Sequence, residues 1–109
     1  MVEVPKETEK KISQLQIMEQ SVQSLSMQKH QFQMQKTEIE SALKELENVS
    51  EGYKMVGNIM VMSKKDDLKK DLDSKKEIID LRVTSLEKQE TQLKEKASKL
   101  QEEVLKEMK

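Results

Sequence analysis

Both glycines of this 109-residue chain, Gly52 and Gly57, fall in one short central stretch, and its single proline, Pro5, stands near the start. Two long segments therefore run without a helix breaker, from Pro5 to Gly52 and from Ser63 onward. Glycine and proline are the strongest local punctuation a chain carries, so this placement predicts two long helices with something different between them. The middle, Gly52-Tyr53-Lys54-Met55-Val56-Gly57-Asn58-Ile59-Met60-Val61-Met62-Ser63, reads as a β-hairpin. Two apolar runs flank Gly57-Asn58, residues that tolerate the positive φ angles of a two-residue turn. The implied register sets Val56 opposite Ile59, Met55 opposite Met60, Lys54 opposite Val61 and Tyr53 opposite Met62. Side chains alternate between faces, so Val56, Ile59 and Val61 share one face and Tyr53, Met55, Met60 and Met62 the other. A lone two-stranded hairpin is marginal in water, and one apolar on both faces with two open edges invites pairing. The stretch is expected to be an assembly element.

The flanking segments carry heptads. With Leu15 at position a, the first segment has Leu15, Val22, Lys29, Lys36 and Leu43 at a, and Met18, Leu25, Phe32, Ile39 and Leu46 at d. In the second, Leu72, Ile79, Leu86, Leu93 and Leu100 recur every seven residues. Val83, Ala97 and Val104 hold the companion position, and Lys69, Lys76 and Glu90 its remaining sites. Composition alone, with 38% charged, 34% hydrophobic and 2% aromatic residues, suits either disorder or long helices. The sustained 3–4 spacing decides for a coiled-coil seam. Lys29 and Lys36 weaken that seam but fix its register. Pro5, Glu7 and Glu9 suit a helix start. Ser63-Lys64-Lys65-Asp66 has the form of a helix cap, with Asp66 and Asp67 in the first turn.

The expected fold class is mainly α: a long antiparallel two-helix coiled coil with one central β-hairpin. One domain spans 1–109, with a first helix over about 6–49, the hairpin over 52–63 and a second helix over 64–108. At ~1.5 Å rise per residue each helix measures roughly 65 Å, and two nearly equal helices joined by a short connection fold back on each other. That puts Val2, Val4, Leu105 and Met108 at the tip away from the hairpin. Several apolar residues lie off the seam: Ile17, Met27, Met34, Leu68, Ile78, Leu81 and Leu105. Leu68, Ile78 and Leu81 are expected to pack against neighbouring subunits. Toward the tip, Ile17, Met27, Met34, Leu105 and Met108 form either a sparse, adaptable binding surface, a role that suits flexible methionine, or ordinary surface scatter.

Charge and chemistry narrow the function. A net charge of −1 from intermixed signs leaves no footprint for nucleic acid or an anionic membrane, and no apolar run approaches the ~20 residues of a membrane span. The absence of cysteine excludes disulfides and thiolate metal sites and favours a reducing, cytoplasmic setting. His30, the sole histidine, sits at an outward heptad position, and no serine has a plausible base beside it. No catalytic, metal or cofactor site is expected.

Ala42-Leu43-Lys44-Glu45-Leu46-Glu47, then Tyr53-Lys54-Met55-Val56-Gly57-Asn58-Ile59-Met60-Val61, then Leu86-Glu87-Lys88-Gln89-Glu90 resemble a prefoldin β-type subunit of archaeal look. The likeness covers nearly the whole chain and is most specific at Tyr53, Lys54, Val56, Gly57 and Val61. It implies a hexamer of two α-type and four β-type subunits, with the hairpins joined into an intersubunit β-barrel. It also implies an ATP-independent chaperone that binds unfolded polypeptides at coiled-coil tips and transfers them to a group II chaperonin. The chain departs from the family at Met55, Met60 and Met62, where bulkier branched residues are the expectation. The mixed charges of Glu102, Glu103, Lys106, Glu107 and Lys109 suit contact with a charged chaperonin surface. A structural coiled coil that self-assembles through its hairpin, with no client binding, is the alternative.

Overall fold

A computed structural model describes residues 4–108. In chain order it contains helix α1 (Lys6–Leu46), strand β1 (Glu51–Val56), strand β2 (Ile59–Lys64) and helix α2 (Lys65–Glu107). Val2, one of the expected tip residues, lies outside the described residues. The chain divides into two compact units, one made of residues up to Lys29 and from Thr84 onward, the other of His30–Val83.

In the first unit the opening turns of α1 lie beside the closing turns of α2, antiparallel. Leu86 and Val104 are buried, and Leu15, Met18, Val22, Leu25, Leu93, Ala97 and Leu100 are half-buried along the same stripe. Pro5 stands just ahead of α1, and its carbonyl accepts the Glu9 N–H at 3.0 Å, the place where a residue without its own N–H does no harm.

In the second unit Leu68 and Ile79 are buried, with Phe32, Ile39, Leu43, Leu46, Leu72 and Val83 half-buried around them. The hairpin belongs to this unit. β1 and β2 pair antiparallel, from Glu51 opposite Lys64 to Val56 opposite Ile59, in the register that the Gly57-Asn58 turn dictates. Only Gly57 has a positive φ, at 62°, and no other described residue does. The turn therefore uses glycine at its first central position, the type II′ pattern, and makes no left-handed demand on Asn58.

Three details differ from the sequence reading, and all lie where helix meets hairpin. First, α1 ends at Leu46 rather than 49. The N–H groups of Glu47, Asn48 and Val49 bond the carbonyls of Lys44, Glu45 and Leu46 at 3.3, 3.4 and 3.3 Å, a three-residue tightening that closes the helix. Second, Ser63 is no cap. It stays in β2 opposite Gly52, and α2 starts at Lys65 with no residue between strand and helix. The Lys65 N–H donates to Ser50 O at 3.2 Å, and its ammonium donates to Glu47 O at 3.1 Å, so the cross-connection from α1 is held from the start of α2. Third, Leu68 is not left for a neighbouring subunit. A Cβ at Gly52 would lie 2.9 Å from Leu68 Cδ1 and 3.6 Å from Leu46 Cδ2. The bare glycine backbone is what lets Leu68 tuck beneath the strand, a burial that the heptad assigned to exposed Lys69.

The turn geometry predicts a contrast. Gly57→Ala forces an alanine into the left-handed region and costs about 1 kcal/mol, whereas Asn58→Ala changes stability by only a few tenths of that. Urea unfolding of the two variants, followed by circular dichroism, checks it.

Candidate functional site

The chain presents two kinds of exposed apolar surface. The larger is the hairpin. One of its faces looks toward the helices of its own unit: Gly52 and Ser63 are half-buried near Leu68, and the Lys54 ammonium reaches Asp71 Oδ2 on α2 at 3.3 Å. Val56, Ile59 and Val61 continue that face beyond the helices and are exposed. The opposite face has no such cover: Tyr53, Met55, Met60 and Met62 are 58 to 65% exposed. With only two strands in the sheet, each strand also offers one unpaired edge. Contiguous apolar surface of this kind marks an interaction site, and open strand edges add backbone donors and acceptors to it. Ile78 and Leu81 on α2 are exposed in the same unit.

The second surface lies in the other unit, where α1 begins and α2 ends. Ile17, Leu105 and Met108 are exposed and Val4 is half-buried. The same unit contains a polar clasp that the heptad reading did not include. Thr8 is 1% exposed, and its hydroxyl donates to Glu107 Oε2 at 2.6 Å. The Lys11 ammonium pairs with Glu107 Oε1 and with Glu103 Oε2, the latter at 3.3 Å. The hydrogen bond from Lys11, then the one from Thr8, holds the Glu107 carboxyl below its ordinary value, and Glu107 in turn holds the Lys11 ammonium above its own. Carrying the heptad back one period from Leu15 and Met18 lands on Thr8 and Lys11, so the signal was present but polar. Glu103 and Glu107 therefore pair with Lys11, and the Glu103 side chain stays 57% exposed. Lys109 lies outside the described residues.

The lysines at seam positions meet carboxylates across the helix pair. In the first unit Lys29 faces Glu90 Oε1 at 3.5 Å, and Lys94, one turn along α2, donates to the same oxygen at 3.2 Å. The Glu90 side chain is only 12% exposed, and its Oε2 has no hydrogen-bond partner. The hydrogen bond from Lys94 keeps its carboxyl below the ordinary value against the cost of burial, with Lys29 assisting. In the second unit Lys36 pairs with Asp80 at 2.7 Å and Lys76 with Glu40 at 3.5 Å. Asp80 raises the Lys36 ammonium through that hydrogen bond. The Arg82 guanidinium lies 5.7 Å from the centre of the Phe32 ring, covering it. His30 is exposed. Among the described residues no acidic, histidine or cysteine cluster is placed to hold a metal ion, and no helix is long and apolar enough to cross a membrane.

A family model described as "Prefoldin subunit" matches residues 9–109. The chain belongs to the prefoldin subunit family. A prefoldin subunit beta of Methanococcoides burtonii is 38% identical over 60% of this chain and 58% of its own length. One of Archaeoglobus fulgidus is 37% identical over 69% of this chain and 67% of its own length. The match thus spans about three-fifths of the first of these prefoldin relatives. A crystal structure of the prefoldin beta subunit from Thermococcus strain KS-1 superposes with a TM-score of 0.92 at 30% identity, covering 100% of this chain and 98% of that one. Both helices and the single hairpin of this chain thus fall within the prefoldin β fold.

Two predictions follow from the polar contacts of this prefoldin chain. Lys29→Leu alone leaves the Glu90 carboxylate buried without its cross-helix partner and lowers the melting temperature. Lys29→Leu combined with Glu90→Leu restores a wholly apolar seam layer and raises it above the parent, as read by thermal circular dichroism. The clasp is acid-sensitive. Because folding lowers the Glu107 value from about 4.5, its contribution is fully present above pH 4.5 and is lost as pH falls through the lowered value. Amide exchange at residues 6–12 should quicken over that range, and Glu107→Gln should remove the dependence there.

Proposed function

We propose that this chain is the β-type subunit of a prefoldin chaperone. It assembles through its hairpin with an α-type subunit, in the arrangement of two α-type and four β-type chains that the family resemblance implies. The assembly holds unfolded polypeptides in the cytoplasm without ATP and passes them to a group II chaperonin. The observation that carries the reading is the uncovered hairpin face of Tyr53, Met55, Met60 and Met62. A monomer has no means to shelter it, and a β-barrel of hairpins would close both the face and the open edges.

Client holding is assigned to Val2, Val4, Ile17, Leu105 and Met108. Ile17, Leu105 and Met108 offer isolated apolar contacts on a charged background, which suits weak and unspecific capture. Several such arms on one body raise the effective concentration for each further contact, so no single contact has to be strong. Glu102 and Lys106 remain on the outer surface for a charged chaperonin contact, which should weaken with salt because exposed charges are screened beyond ~10 Å at moderate ionic strength.

The test mixes the chain with an α-type prefoldin subunit and follows aggregation of a chemically denatured client by light scattering, without nucleotide. Aggregation should slow severalfold. Ile17→Ser combined with Leu105→Ser, both at exposed positions, should remove most of that protection while the assembled mass measured by sedimentation stays the same. Unchanged protection would overturn the tip assignment. Self-assembly without the α-type chain and no effect on aggregation would identify a structural scaffold instead.

A further inference from the structure

The two hairpin faces differ in chemistry as well as in cover. The face turned toward the helices carries the branched residues Val56, Ile59 and Val61. The free face carries thioethers and a phenol, Met55 directly opposite Met60 and Tyr53 directly opposite Met62, with the charged pair Glu51 and Lys64 at its helix end. Three of the chain's eight methionines are thus gathered on one side of a six-residue ladder. Each is more than half exposed. Branched aliphatic side chains fill a sheet surface well and suit strands best. Methionine adds one property that they lack: a sulfur that accepts an oxygen atom.

We infer that Met55, Met60 and Met62 form an oxidation site that controls whether the subunit can assemble, the oxidant being a hydroperoxide. The inference rests on the reading of the hairpin as the assembly surface. In the reaction a sulfur lone pair attacks the terminal peroxide oxygen, the S–O bond forms as the O–O bond breaks, and the proton on the transferred oxygen passes to the departing one, which leaves as water or an alcohol. Sulfur loses two electrons and the peroxide gains them, with no other reactant needed. Each event turns an apolar contact into a sulfoxide, a strong acceptor that a dry interface would leave unsatisfied. Because Met55 and Met60 are cross-strand neighbours and Met62 lies two residues along from Met60 on the same face, the three events fall on one patch. Burial in an assembly would shield all three sulfurs, so the free subunit is the species that reacts.

The experiment exposes the full chain to dilute hydrogen peroxide, maps added oxygen by peptide mass spectrometry, and then titrates it with an α-type subunit by sedimentation. Oxygen should appear at Met55, Met60 and Met62, and the treated chain should assemble at least about tenfold more weakly. Methionine sulfoxide reductase should restore assembly. The variant carrying Met55→Leu, Met60→Leu and Met62→Leu should assemble and be indifferent to peroxide. If the untreated chain assembles and the fully oxidised chain does so equally well, the oxidation site has no control over assembly and the inference fails while the assembly reading stands. If the triple variant remains peroxide-sensitive, the effect belongs to other methionines and the inference again fails. If the untreated chain does not assemble at all, the assembly reading itself is overturned, and this inference with it.

Discussion

Two helices packed side by side can shelter one stripe each, and most features of this chain follow from that limit. Among the described hydrophobic residues only Leu68, Ile79, Leu86 and Val104 are buried; the other apolar seam residues keep a larger part of their surface in water. Stability is spread over many partial burials at ~25 cal/mol per Å², with no central core to hold reserves. Each unit therefore has its own closing device. One is clasped by Thr8 and Lys11 on Glu107. The other is closed by Leu68 seated under the glycine backbone of β1.

Charged residues in such a seam cost stability, yet they recur along it. Lys29 meets Glu90, Lys36 meets Asp80 and Lys76 meets Glu40. The Lys36 and Lys76 pairs are wet and contribute little net stability, and the drier Lys29–Glu90 pair offsets its own burial cost at best. What they contribute is alignment: sliding α1 against α2 by one heptad would part them while leaving leucine against leucine elsewhere. Apolar seams cannot make that distinction, because one leucine layer resembles the next.

Much of this was legible from residues alone. The hairpin register followed from Gly57-Asn58 because a two-residue turn leaves no freedom in pairing, and the a and d positions of α1 coincide with its half-buried stripe. What could not be read has a common cause. Burial of Leu68 in place of Lys69, the retention of Ser63 in β2 and the end of α1 at Leu46 all occur where the helical period gives way to the strand period. There, tertiary contact rather than either repeat decides which side is covered. The left-handed residue at the turn was narrowed from two candidates to Gly57, because glycine carries no Cβ and leaves Asn58 an ordinary conformation. The Thr8 clasp escaped because its seam positions are polar, and a search for apolar spacing passes over them. The expectation that the hairpin is an assembly element came from its two apolar faces and open edges, whereas the client-holding role given to the tip came only through the family resemblance, since an exposed apolar residue does not say what it binds.

The junctions on the two sides of the hairpin are unequal. β1 is reached from α1 through the four connecting residues Glu47 to Ser50, whereas β2 passes into α2 without a single intervening residue. The second junction is continuous backbone, and the longer first one is tied across to it, the Lys65 N–H donating to Ser50 O and its ammonium to Glu47 O. A displacement of β2 would pass into the first turn of α2 directly through the Ser63–Lys64–Lys65 backbone, and into the end of α1 only through those two hydrogen bonds. Lys65 is in that sense the hinge pin of the hairpin's own unit.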